Sequence, residues 1–311
     1  MSLLEKSVVL MPSSSAPLAW PLTLLLASGA GFATVYALSK PLIAAGIPAL
    51  LLLFLQMLGG GILVLFVAVF RRQRPKLSPP LLRYYAIGGL GVTVPNGLLY
   101  IVIPHVGVGI ASTLTSLSPL FTWSMARLLG MEPHSARRIL GLATGFAGAV
   151  LLALRSGAPG SGMGGAFDGW ILLGLLAPLG LAFGNIYRTR AWPRGEPPLP
   201  LTAGMLIAGG ILVVPVALAT GAFAVPTALL AANLPLILLQ VALYAVSGIL
   251  IYEMQRIAGP VFLSQLGYVI PPIGLAWGLG VFGETLSPLN VAGLGLIAAG
   301  LLLINLRRNR G

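Results

Sequence analysis

The chain has 311 residues; 57% are hydrophobic and only 8% are Asp, Glu, Lys or Arg. A soluble domain carries roughly 25% charged residues, so this composition excludes a water-soluble enzyme, and its apolar content excludes a disordered chain. Cysteine is absent, which removes disulfides and thiolate chemistry, while eighteen basic against six acidic residues give a net charge of +12. A bilayer-crossing helix needs about 20 mostly apolar residues, and the stretches free of Asp, Glu, Lys and Arg supply them. Residues 1–18 read as a flexible tail, because Pro12-Ser13-Ser14-Ser15 cuts the short apolar run after Lys6 before a signal peptide can form. Ten spans follow, at 19–39, 45–70, 82–103, 107–129, 136–154, 168–189, 200–220, 233–254, 260–282 and 288–306. Two uncharged runs are too long for one crossing. One divides at Pro104-His105-Val106-Gly107, the other between Gly221 and Pro235, where glycine and proline mark turns. A Gly-rich linker, 156–167, separates the halves 19–155 and 168–306, and 307–311 is a basic tail.

The basic residues orient the chain. With the N-terminus in the cytoplasm, sixteen fall in inside segments and only Lys40 and Arg155 outside. That is the positive-inside pattern, so both termini are expected to be cytoplasmic, and the charge is a topology signal rather than a nucleic-acid surface. The halves also repeat. GGILV occurs at Gly60–Val64 and Gly209–Val213, an offset of 149. Gly29, Phe32 and Tyr36 match Gly180, Phe183 and Tyr187 at 151; Tyr100, Gly107, Ser112, Pro119, Glu132, Gly141 and Gly148 match Tyr252, Gly259, Ser264, Pro271, Glu284, Gly293 and Gly300 at 152. The offset equals five spans, an odd number, so the second half enters from the opposite side. The expected fold is an all-α membrane protein of ten transmembrane helices in two inverted five-helix repeats, an architecture of secondary transporters.

These two five-helix halves, with Gly283-Glu284 after the ninth span, its echo Gly130-Met131-Glu132, and Gly109–Thr122 in the fourth, resemble the drug/metabolite transporter superfamily in its EamA-type ten-helix branch. More loosely, the chain resembles the amino-acid exporter subgroup that also handles aromatic amino acids. The resemblance covers about 19–306 and implies an inner-membrane carrier of small organic metabolites, with a cavity built from spans 1, 3, 4, 6, 8 and 9 and spans 5 and 10 as scaffold.

Matched helix interruptions point to a transporter's site. Pro119 in span four and Pro271-Pro272 in span nine each remove helical hydrogen bonds, and the freed carbonyls must face the protein interior; these three prolines are the expected hinges. Beside them stand Ser112, Thr113, Thr115, Ser116, Ser264, Gln265 and Tyr268, with Ser112, Thr115, Ser116 and Pro119 on one helical face. Asn96, Asn185, Gln240 and Tyr244 complete the expected substrate-binding set. The competing reading is that Ser and Thr bond their own helix and glue neighbours together. Tyr36, Tyr100, Tyr187, Tyr252, Trp20, Trp123, Trp170 and Trp277 read as an interfacial belt, and His105 as an outer-turn residue. Lys40, Arg188 and Glu253 sit near span ends, where long side chains snorkel, so no full charge is expected at mid-depth. Glu132 and Glu284 read as helix-boundary residues. Close helix contact is expected at Gly59-Gly60-Gly61, Gly209-Gly210 and Gly141, Gly145 and Gly148.

Two histidines in different segments and one aspartate at a span edge give no metalloprotease or aspartyl constellation, so no enzyme and no catalytic residue, metal or cofactor is expected. The absence of a Gly-x-x-x-x-Gly-Lys-Ser/Thr loop argues against ATP coupling. The expected function is secondary transport in the lipid bilayer, with a monomer favoured and the oligomeric state left open by the sequence. The substrate is a small organic metabolite, with export of an amino acid favoured; the alternatives are export of cationic or amphiphilic toxic compounds, or a channel.

Overall fold

The computed structural model describes residues 19–131, 135–153 and 169–305; the expected tails, the linker, Glu132 and His134 lie outside them. Among the described residues every element is helical. In chain order they are α1 (Ala19–Ala44), α2 (Ala49–Phe70), α3 (Pro79–Leu114), α4 (Ser118–Leu128), α5 (Ala136–Ala153), α6 (Gly169–Arg190), α7 (Pro198–Ala219), the short α8 (Thr227–Ala232), α9 (Leu234–Leu263), α10 (Leu266–Gly280) and α11 (Pro288–Asn305). Proline opens α3, α7 and α11, the position where its missing N–H costs nothing. Among the described residues six stretches are long and apolar enough to cross a membrane: Ala19–Ala44, Ala49–Phe70, Pro79–Leu128, Gly169–Arg190, Pro198–Ala219 and Leu234–Ala258; Val269–Gly280 and Val291–Gly300 are shorter apolar helices. Side chains such as Phe66, Phe70, Ile211 and Leu302 stand exposed on the outer faces, which suits lipid and not water.

Several elements are interrupted. The 50-residue stretch Pro79–Leu128 is about twice one crossing. It is broken at Gly107, whose φ of 84° and ψ of 162° are open only to glycine, and again by a 3₁₀ turn at Thr115–Leu117, just before Pro119. Helix α2 carries a π-turn at Leu55–Gly59 that turns Gln56 inward. Helix α9 runs on to Leu263, past the span end expected near 254, and the turn comes at Ser264–Gln265.

Glycine sets the closest helix contacts, and these come in exchanged pairs. A Cβ on Gly148 of α5 would lie 2.5 Å from the Gly293 carbonyl of α11, and one on Gly300 would lie 2.5 Å from the Gly141 carbonyl. Shifting each partner by the offset of 152 turns the first contact into the second. Likewise Gly61 meets the Ile207 backbone nitrogen at 2.9 Å, while Gly210 meets that of Leu58 at 2.9 Å, related by 149. In a two-fold contact, residue i touches j and the mate of j touches the mate of i; both pairs obey that rule.

Candidate functional site

Pro119 cannot donate to the carbonyl of Thr115; the chain answers by tightening to a 3₁₀ turn in which the Ser118 N–H donates to that carbonyl. The hydroxyls around this turn bond locally. Thr113 donates to Gly109 (2.8 Å), Thr115 to Ser112 (2.6 Å) and Ser116 to Thr113 (2.5 Å). A hydroxyl that donates to its own helix keeps acceptor capacity, so Thr115, which reaches a neighbouring cavity, can still receive a bond from a ligand.

Next to this turn lies a narrow cavity of about 80 Å³, room for a few waters. Phe32 and Tyr36 of α1, Val92 and Asn96 of α3, Thr115 and Ser118, and Leu181, Asn185 and Arg188 of α6 line one part of it. Ile251 and Leu263 of α9, Ser264, and Leu266, Gly267 and Ile270 of α10 complete it. These residues come from spans 1, 3, 4, 6, 8 and 9 of the ten expected from the sequence. Asn96, Thr115, Asn185 and Ser264 of the expected binding residues therefore lie on the lining. The others are placed elsewhere. Ser112 packs on Gly274, where a Cβ would strike its Oγ, and Ser116 packs on Gly267. Gln240 donates to the Val35 carbonyl across to α1 (3.0 Å), and Tyr244 is buried against the Phe32 ring. Gln265 is half-buried at the turn before α10, and the side chain of Tyr268 lies outside the described set. Pro119 and Pro271 are buried, Pro272 exposed.

Asn96 is held at both ends of its amide. It accepts from the Tyr36 hydroxyl (3.0 Å) and donates to the Val92 carbonyl (2.7 Å). Tyr36 is thus a cavity residue, and the interfacial-belt reading fails for it and for Tyr100 and Tyr252, all 4% exposed or less; Tyr100 donates to Gln56 and Tyr252 contacts the sulfur of Met205. The belt reading suits Trp20 and Trp170, which are 50% and 40% exposed, and the exposed His105 stacks on Trp170 at 3.7 Å.

The larger correction concerns charge. Arg188, expected to snorkel from the end of span six, is 6% exposed and faces the cavity. One terminal nitrogen donates to Asn185 Oδ1 (2.5 Å), the guanidinium lies 5.5 Å from the Tyr252 ring centre, and Nε has no partner. Gln255 braces this turn of α6, donating to Thr189 Oγ1 at 2.9 Å. The end of α6 is covered by Tyr84, whose hydroxyl reaches the Arg188 carbonyl, and by Tyr252 of α9, and the Arg188 side chain turns inward instead of snorkelling. Sequence reasoning could have flagged Arg188 through its neighbour Asn185, three residues earlier on the same face.

Glu284 joins three elements. Its carboxylate accepts from the Val108 and Gly109 N–H groups (2.9 and 3.1 Å), capping the helix that restarts after Gly107, and pairs with Lys40 at the end of α1 (2.6 Å). Lys40 also sits 4.8 Å from the Phe282 ring centre.

Comparison with known proteins agrees with this arrangement. The model of the EamA-like transporter family matches the chain twice, at residues 19–154 and 168–306. An "Uncharacterized inner membrane transporter YedA" of Escherichia coli K12 is 30% identical over 83% of this chain and 82% of its own. A "Probable amino-acid metabolite efflux pump" of Salmonella typhimurium is 28% identical over 82% of this chain and 85% of its own. "Protein PecM" of Dickeya dadantii is 26% identical over 74% and 76%. A solved crystal structure superposes with a TM-score of 0.60 at 19% identity, covering 92% of this chain and 98% of that one, a likeness of fold. Apolar helices with outward-facing Phe and Leu, a cavity among them that holds Asn96, Asn185 and Arg188, and a family match over nearly the whole chain lead to one assignment: this is a membrane protein belonging to the EamA-like transporter family.

Proposed function

We propose that the chain is a secondary transporter that exports small organic metabolites, amino acids among them, across the inner membrane by alternating access. The observation that carries this reading is the cavity itself: it lies where elements of both family matches meet, α1, α3 and α4 of the first and α6, α9 and α10 of the second, and it sets Asn96, Thr115, Asn185, Arg188 and Ser264 among apolar side chains. Ten crossings in two inverted quintets are the arrangement proposed for the backbone. The break at Gly107 supports two crossings within the longest stretch, and the exchanged glycine pairs are what a pseudo-two-fold axis in the membrane plane requires. A cavity of about 80 Å³ is too tight for an amino acid, so substrate entry needs the halves to part, at the turns before Pro119 and Pro271. The amino-acid efflux name of the Salmonella relative favours the same substrate class. The basic-residue distribution favours a cytoplasmic location for both termini.

Counterflow of labelled amino acids in proteoliposomes tests the carrier. Saturation and trans-stimulation are expected, and flux that neither saturates nor responds to trans substrate indicates a channel. Reporter tags in the 156–167 segment and after residue 311 should lie on opposite faces; finding both on one face breaks the inverted arrangement.

A further inference from the structure

Arg188 carries a charge that nothing described in the protein balances. The chain has six acidic residues, and Glu5, Glu132 and Asp168 fall outside the described positions. The other three are engaged elsewhere: Glu284 with Lys40, Glu196 with Lys76 and Glu253 with Arg256. What Arg188 does touch is neutral, the Asn185 amide and the Tyr252 ring, and its Nε has no acceptor at all. A buried charge without a partner is strongly destabilising, and within a membrane it marks a functional position. Arginine does not escape that cost by giving up its proton, as a buried lysine can.

We infer that Arg188 is the anchor for a carboxylate group of the transported substrate, which supplies the missing negative charge in the cavity. The planar guanidinium matches a carboxylate in a two-point contact. Asn185 acts as a positioning residue: its Oδ1 holds one terminal nitrogen and leaves the Nε edge for the ligand. A carboxylate fits better than a phosphate ester, because among the described residues Arg188 is the sole cation on the cavity lining, and a dianion would leave net negative charge buried. The hydroxyl-bearing part of the lining suits an ammonium group. Thr115 and Ser118 bring hydroxyl oxygens there, and Gly267 brings a carbonyl whose helical donor position is taken by Pro271. The inference rests on the carrier reading and narrows it to substrates bearing one carboxylate. It disfavours cationic amphiphiles, which the guanidinium repels.

The test compares labelled amino acids, each with its carboxamide and with phosphorylated analogues, in proteoliposomes holding the full chain. Wild type should transport acids about 10- to 100-fold better than the matching amides, the scale of a charge-assisted contact. In Arg188→Gln that ratio should fall to about one, whereas a purely structural role would lower both fluxes and keep the ratio. Arg188→Lys retains the charge with only one contact point and should show an intermediate ratio, which guards against misfolding of Arg188→Gln. If both variants fail to fold, the wild-type acid-to-amide ratio decides alone. A wild-type ratio near one, a ratio that survives in Arg188→Gln, or preference for phosphorylated compounds overturns the inference while transport itself stands. Saturable transport of no compound in the set removes the carrier reading and the inference together.

Discussion

Gly107 and Glu284 are coupled across 177 positions of sequence, and a double-mutant cycle can measure the coupling. Alanine at 107 meets two penalties. Its φ and ψ lie in a region essentially reserved for glycine, costing about 1–3 kcal/mol. Its Cβ would also stand 2.9 Å from Cδ and Oε1 of Glu284 and 3.0 Å from Oε2, so the carboxylate must leave the Val108 and Gly109 N–H groups. Hydrogen bonds to a charged group contribute about 1.5–3 kcal/mol each. Glu284 is partly solvated, so the low end applies, and the half-exposed Lys40 pair adds no more than about 1 kcal/mol. Gly107→Ala should therefore cost about 4–7 kcal/mol. Glu284→Gln, which keeps one acceptor but loses the ion pair and one strong cap, should cost about 2–3 kcal/mol on the same figures. Because both variants sacrifice the same caps, the double variant should fall short of the sum by about 2 kcal/mol. Unfolding of the purified protein in detergent, followed by the fluorescence of its five tryptophans, reads the four corners; rates replace equilibrium midpoints where unfolding is irreversible. Additivity within about 0.5 kcal/mol would show that the Gly107 break and the Glu284 cap are independent, and the argument would fail.

Two further outcomes follow from packing and polar satisfaction. Gly148→Val and Gly300→Val should each strip folded protein from the membrane to a similar extent, because each side chain would strike a carbonyl 2.5 Å from its Cβ in the exchanged contact; a strong effect of one and tolerance of the other, measured by yield of monodisperse protein, would contradict the reciprocal contact. Tyr100→Phe should cost about 1–3 kcal/mol by leaving Gln56, whose Nε2 is already unpartnered, with no bond at all. Adding Gln56→Leu should return most of that loss in thermal unfolding, since removing both polar partners is cheaper than stranding one; a double variant weaker than Tyr100→Phe alone would argue against it.

Much of the helical architecture was legible because lipid imposes length and apolarity, and both can be counted. The charge-free runs located the helices, and Pro104-His105-Val106-Gly107 contained the break at Gly107. Depth and facing were harder to read. Helices that are apolar all round carry no stripe to say which side meets protein, so Tyr36 and Tyr100, counted toward the interface by position, lie buried among neighbouring helices. The face shared by Ser112, Thr115, Ser116 and Pro119 was visible in the spacing. What it meets was not, and the structure sets Gly274 and Gly267 against two of its serines while Thr115 reaches the cavity. Arg188 was misplaced for a related reason: a helix end is normally an exit to water, but Tyr84 and α9 close over this one. The cap on Gly107–Gly109 comes from a loop residue with no local signature.

The offset between the halves separates scaffold from chemistry. Residues that match across it are largely those that pack, such as Gly141 with Gly293, Gly148 with Gly300, and Tyr100 with Tyr252. Most polar residues of the cavity do not match. Arg188 corresponds to Ala37 at offset 151, and Asn96 to Gly248, Thr115 to Gly267 and Ser118 to Ile270 at offset 152. On the two-fold arrangement proposed, this asymmetry has a physical cause. A perfectly repeated site would present every donor and acceptor twice, while a small metabolite without two-fold symmetry can engage each only once. The duplicate would stay buried and unpaired, at about 1–3 kcal/mol for a neutral group and more for a guanidinium. Two halves can therefore share one backbone plan, which lets the cavity face either side, only if their linings diverge where the substrate is held.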